Sequence, residues 1–172
     1  MLFRSYLVRS ITSQQLSTKV AAVIYKRFLD LFGGAEPTPQ QVLALTHEQL
    51  RAIGLSNSKA TYVQNVARFA IEKGLDAKIL NKMEDEALIA YLTEIKGVGR
   101  WTAEMIMMFA MGREDVFAVD DLGIQVAIKN LYQLKINETK KLKKKMLVIS
   151  ERWSPYRTYA CMYLWRWKDG EG

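Results

Sequence analysis

Two adjacent carboxylates, Asp120 and Asp121, follow the β-branched and aromatic run VFAV (116–119) and precede the helical apolar pattern Ile124, Ala127, Ile128 and Leu131. Aspartate at a helix start bonds orphan amides and is worth about 0.5–2 kcal/mol as a cap. Upstream, KGVGR (96–100) places glycines at 97 and 99, where the backbone can take positive φ and approach a ligand closely. The amides of a helix starting near Arg100 would then face an anion. The same five residues also read as a plain helix stop followed by a new helix. They lack the GK[ST] ending of a nucleotide-binding loop, and no strand precedes them. Downstream, RWSPYRTYACMYLWRW (152–167) holds three tryptophans and three tyrosines, which suit either a packed core or a surface for stacking a cationic ring.

Composition narrows the chemistry. Lysine and arginine outnumber acids 25 to 18, for a net charge of +7 and a pI of about 9.5, a balance that favours a polyanionic partner. His47 is the only histidine and Cys161 the only cysteine. That excludes disulfides within the chain, iron–sulfur clusters held by four cysteines and zinc sites built from several His or Cys ligands. No nucleophile-elbow motif gives His47 a triad to serve. Catalysis must rest on carboxylates, lysines or backbone dipoles. At 49% apolar content the 172 residues suffice for one sizeable core or two small lobes. The apolar run 105–111 is far short of the roughly 18–20 residues a bilayer span needs, so no membrane partner is expected. The N-terminus, MLFRSYLVRS, interrupts its apolar residues with arginines and offers no cleavage signal, which predicts a cytoplasmic protein, at the bacterial nucleoid or in a eukaryotic nucleus.

The elements that must hold these residues are helices. Apolar stripes at helical spacing run through Val20, Ile24, Phe28 and Leu31 after a Ser17/Thr18 start, through Val63, Val66, Ala67 and Ala70, and through Leu88, Leu92 and Ile95. Ile106, Phe109 and Ala110, the stripe after the aspartates, Leu142 with Met146 and Ile149, and the segment around Met162 and Trp165 complete the series. Eight to ten short helices are expected, with no strand. The lysines of TKKLKKKM (139–146) read as a solvated face, with Leu142 and Met146 turned inward. IGLSNSKA (53–60) and IKGVGRWTA (95–103) both put glycine between a helix end and a new helix.

LxxIKGVGRWTA followed by VFxVDD, with VRSITSQQLSTKVAAVIYKRF (8–28) and IGLSNSKA in order before them, resembles the helix-hairpin-helix DNA glycosylases, and most nearly their 3-methyladenine DNA glycosylase II branch. The resemblance spans essentially the whole chain. It implies an all-α, two-lobed fold with the active-site cleft between the lobes, the whole of 1–172 forming one catalytic unit. Residues 16–118 would form the lobe containing the hairpin, and 1–15 with 119–172 the other. Gly97, Val98 and Gly99, with Arg100, would grip a DNA phosphate, and a metal cation could sit on the carbonyls of Gly97 and Gly99; no other cofactor is implied. Asp121 would be the catalytic carboxylate and Asp120 the cap. Trp101, Trp165 and Met105 would line the base pocket, Met105 standing where relatives carry a tyrosine. Gln15, next to Gln14, would fill the gap left by the flipped nucleotide.

Relatives that also cut the strand carry a lysine at the Trp101 position, so the resemblance implies a monofunctional enzyme using water, with Lys96 as the one nearby amine. It implies a monomer acting on double-stranded DNA that bears a damaged base. With no acid in sight to protonate a leaving base, the expected substrates are already activated: 3-methyladenine and 7-methylguanine, with neutral hypoxanthine slower. A helix-hairpin-helix module that binds DNA without chemistry is the alternative, and Asp121, Trp101 and the tryptophan-rich end favour the enzyme. Relatives carry further residues before FRSYLVRSI, which leaves a minimal enzyme and a shortened chain both open.

Overall fold

Serine and threonine just ahead of apolar-periodic runs set many of the helix starts. The hydroxyls of Ser17, Thr38, Thr46 and Ser56 accept the amides of Val20, Gln41, Gln49 and Lys59, three residues on. At Thr38 and Thr46 the glutamine side chain returns a bond to the cap's own amide, closing a capping box. The computed structural model describes residues 3–170, the side chains of 3, 4 and 18 excepted; Thr18 as a side-chain start signal thus falls outside the described residues.

The described residues contain eleven α-helices and no strand: α1 (Phe3–Ser13), α2 (Thr18–Asp30), α3 (Pro39–Leu43), α4 (His47–Ala52), α5 (Asn57–Glu72), α6 (Ala77–Leu80), α7 (Asp85–Thr93), α8 (Arg100–Phe109), α9 (Leu122–Leu131), α10 (Thr139–Ser150) and α11 (Arg157–Asp169). A 3-10 turn at Glu151–Trp153 links the last two. The count exceeds the eight to ten expected because α3, α4 and α6 have four to six residues, fewer than two turns, and no apolar period can register over that length.

The chain divides into two units inside α8, one ending at Ile106 and the other starting at Met107. The first is built on α5, which buries Ala60, Val63, Val66, Ala67 and Phe69 and is met by α1, α3 and α4. Val8 of α1, Phe28 of α2, Val42 of α3 and Val63, Val66 and Ala67 of α5 line one small cavity, so four helices converge there. Because α1 packs on α2 and α5, residues 3–13 sit inside the first unit, whereas the sequence grouped 1–15 with 119–172. In the second unit α9 packs against α11 and α10 through Ile124, Ala127 and Ile128, with Met146 and Cys161 also fully buried. Leu142 and Met146 do face inward, and Lys140, Lys141, Lys144 and Lys145 lie exposed.

The apolar stripes are narrower than their spacing suggests. Val20 and Leu31 are 46% and 40% exposed, and the buried side of α2 is Ala21, Ile24, Tyr25 and Phe28. Rows at i and i+4 drift around a helix, so their outer members pass the edge of the core. Leu131 and Phe109 are half exposed for the same reason.

Candidate functional site

Asp121 sits at the N-cap of α9 with extended backbone (φ −71°, ψ 123°), and its Oδ1 accepts the Ile124 amide at 2.9 Å. Asp121 is therefore the cap. The expectation that Asp120 caps is corrected: Asp120 is turned outward and pairs with Lys143 at 2.6 Å. The sequence offers two equivalent three-residue reaches, from 120 to 123 and from 121 to 124, and the fold uses the second.

The same Oδ1 accepts a second bond, at 2.9 Å, from Nε1 of Trp165 on α11. Trp165 is thus brought to the carboxylate through its polar edge, a role the pocket-wall expectation did not contain. Its ring also lies 6.0 Å from that of Phe109, tilted by 31°. Gly123 makes this approach feasible. A Cβ there would lie 3.0 Å from Asp121 Oδ1 and 3.2 Å from Trp165 Cδ1, tighter than ordinary contact. A glycine in the first turn of a helix, disfavoured by about 1 kcal/mol relative to alanine, is the signal of Gly123 in the sequence, and it belongs to no motif.

The segment leading into Asp121 is tied to the start of α11. Thr158 Oγ1 donates to the Arg113 carbonyl at 2.7 Å and accepts the Val116 amide at 3.1 Å, while the Thr158 amide donates to the Glu114 carbonyl at 2.9 Å. Arg157 grips Asp115 with two nitrogens at 2.6 and 2.8 Å, and Ser154 Oγ donates to the same carboxylate at 2.9 Å. These donors hold the Asp115 carboxyl below the usual carboxylate range, Arg157 contributing most. Thr158, Arg157 and Asp115 carry no motif, so only the fold reveals them.

The hairpin between α7 and α8 belongs to the first unit. Gly97 has φ 107°, and a Cβ on it would fall 2.1 Å from the Tyr62 ring, so glycine is needed both for conformation and for space. Gly99 differs from expectation: its φ is ordinary and nothing lies within 4 Å of where its Cβ would be, so its lack of a side chain opens the start of α8 rather than fitting a strained turn. Its carbonyl accepts the Ala103 amide at 3.0 Å, which makes it the N-cap, and with no side chain it leaves the first-turn amides uncapped by its own residue. Val98 is 4% exposed and its amide is already bonded to the Ile95 carbonyl at 2.9 Å. The Arg100 guanidinium is committed to Glu86 (2.6 and 3.0 Å) and Glu104 (3.0 Å). What Gly97, Gly99 and Arg100 offer an anion is backbone N–H; none of the three donates to a backbone acceptor among the described residues.

Gln15 is exposed and takes φ 58°, a left-handed conformation rare for a residue with a side chain. Its neighbour Gln14 turns inward and donates to the Gly97 carbonyl at 3.3 Å and to Thr102 Oγ1 at 3.2 Å. Trp101 and Met105, four residues apart on α8, are both half-buried on one side of that helix. The predicted residues therefore gather in two places: Asp121 with Trp165 in the second unit, and the hairpin with Gln14 and Gln15 in the first.

A helical chain with a glycine hairpin feeding one helix and a cap carboxylate opening the next is the pattern of a DNA-repair family. Residues 8–153 match the HhH-GPD superfamily of base excision DNA repair proteins, and the chain belongs to that family. Among its relatives, DNA-3-methyladenine glycosylase 1 of Schizosaccharomyces pombe is 37% identical over 164 residues, covering 93% of this chain and 70% of that protein. YfjP of Bacillus subtilis is 35% identical over 166 residues and covers 93% of this chain. The chain spans only 57% of YfjP's length. The solved structure of the S. pombe 3-methyladenine DNA glycosylase Mag1 in complex with abasic DNA superposes with a TM-score of 0.85 at 36% identity, covering 95% of this chain and 79% of the other. None of the described helices is long and apolar enough to cross a membrane.

Proposed function

We propose that this chain is a monofunctional DNA glycosylase that hydrolyses the N-glycosidic bond of alkylated purines flipped out of double-stranded DNA, leaving an abasic site. The observation that carries the reading is Asp121: a half-buried carboxylate fixed by two donors on one oxygen, at the mouth of a helix, in a family of base excision proteins. The support for the base class is the 3-methyladenine glycosylase relatives.

As the glycosidic bond breaks, positive charge develops on the sugar, and a carboxylate already oriented stabilises it without reorganisation. Asp121 supplies that charge and orients the attacking water. Ile124 N–H and Trp165 N–H hold the carboxylate in place. Gly97, Gly99 and Arg100 amides take a backbone phosphate, Gln15 enters the gap left by the flipped nucleotide, and Trp101, Met105 and Trp165 faces contact the base. A cationic methylpurine stacks on tryptophan more strongly than a neutral base, by roughly 0.5–2 kcal/mol.

The carbonyls of Gly97 and Gly99 would be the ligands of a metal cation at the hairpin; each accepts one hydrogen bond, from Gln14 and from the Ala103 amide, and keeps a second lone pair. Action as a monomer and a place at the nucleoid or in a nucleus complete the reading.

A panel of duplexes, each with one modified base, tests it. Release of 3-methyladenine and 7-methylguanine should outpace hypoxanthine, the product strand should stay intact until treated with base or heat, and borohydride should trap no adduct. Faster release of 8-oxoguanine would overturn the base class, and a trapped adduct would bring in Lys96 or another lysine as nucleophile.

A further inference from the structure

One side of α5 carries three residues that reach outward from its own core face. Lys59 Nζ donates to the carbonyls of Thr12 at 2.9 Å and Gln14 at 2.7 Å, the two residues that lead from the end of α1 into Gln15. Tyr62 lays its ring over Gly97, and Asn65 Nδ2 donates to the Lys96 carbonyl at 3.0 Å. Spaced i, i+3 and i+6, they fall within about 120° of one another around the helix. Gln14 closes the circuit by bonding Gly97 and Thr102. Two loops that are 83 residues apart in the chain are thereby built on one rail.

We propose that α5 is a brace that makes the Gln15 loop and the Gly97 hairpin one rigid body, with Lys59 the positioning residue that holds Gln15 for entry into the duplex. The inference rests on the glycosylase reading above. A left-handed glutamine is strained, and such a conformation persists only where surrounding contacts over-determine it. Lys59 supplies two such contacts on carbonyls that the end of α1 leaves without helical partners. A backbone phosphate bound at the hairpin then fixes where Gln15 stands relative to the strand, so that grip and insertion occur in one docking step.

The test compares K59M, K59R and Q15A on two duplexes: one with a paired methylpurine, and one with the same base opposite an abasic gap, where unpairing has already occurred. K59M should release the paired base at least about tenfold more slowly and the unpaired base within about twofold of wild type, because holding the gap open matters only where pairing opposes flipping. Its affinity for undamaged duplex should change by less than about threefold, since the hairpin amides remain. K59R should recover most of the rate. The K59M/Q15A double variant should lose no more than either single variant, since both act through one insertion step. Equal slowing on both duplexes, additive losses or wild-type rates in K59M would overturn the brace. Should K59M lower the melting temperature, Q14A, which removes only the bonds to Gly97 and Thr102, must show the same paired-to-unpaired contrast. Fluorescence of 2-aminopurine placed beside the target reads base unstacking without excision. If wild type releases no methylpurine, the glycosylase reading fails, and this signal still decides the brace: loss in K59M sustains it and retention overturns it.

Discussion

On Asp121 a single oxygen carries two donors from different helices, which fixes the plane of the carboxylate as well as its place. The adjacent pair of aspartates was legible as a helix start, and family resemblance singled out the second. The bond from Trp165 was not legible, because its donor stands 44 residues away on another helix. Gly97 and Gly99 looked equivalent in the sequence and are not. Gly97→Ala must move the Tyr62 ring and force positive φ on a side chain, so it should destabilise the fold by about 1–3 kcal/mol. A Cβ at Gly99 meets nothing within 4 Å, so Gly99→Val should cost only the poorer N-cap, about 1 kcal/mol or less, while weakening binding to damaged and undamaged duplexes alike. Chemical denaturation and a binding titration on the two variants check this. Loss of affinity confined to lesion-bearing DNA in Gly99→Val would contradict the phosphate grip.

The ties between the 113–116 segment and the start of α11 are what turn an irregular segment into a mount for Asp121. Helical periodicity located α9 and α11, since both bury one face on successive turns, Ile124, Ala127 and Ile128 in α9 and Cys161 and Leu164 in α11. It said nothing of the stretch between Gly112 and Asp121, where polar side chains tie the backbone to α11 and the non-periodic run Val116, Phe117 and Ala118 is buried. Asp115 is the centre of that network. Its carboxyl is held low by Arg157 first, so it contributes stability that is fully present above the unfolded value of about 3.9 and lost as pH falls through the folded value. Asp115→Asn should therefore lower stability at neutral pH, by about 1–3 kcal/mol, and flatten the loss of stability below pH about 4. Urea melts of both proteins from pH 7 to 3 check this; parallel curves would show that Asp115 does not carry the acid-side dependence. The short α3 and α4 escaped the periodic pattern but were announced by their capping boxes, T-P-Q-Q and T-H-E-Q, a local signal independent of length.

Across the whole molecule, a net charge of +7 and hairpin amides for phosphate describe a protein whose affinity for duplex should fall steeply with salt, the slope of log K against log salt being about 0.9 for each phosphate neutralised. An all-helical chain was legible because nearly every core position follows the helical period. The division inside α8 was not, since that helix is continuous in sequence pattern through residue 109. The central claim is that one negative charge, held at the start of α9, drives base release. Asp121→Asn isolates that charge: asparagine caps a helix about as well as aspartate, and its amide oxygen can still accept from Ile124 and Trp165. Single-turnover release of 3-methyladenine, measured beside a binding titration, should show Asp121→Asn slower by at least about 100-fold with duplex affinity equal or higher. Near-normal release from that variant would contradict the account.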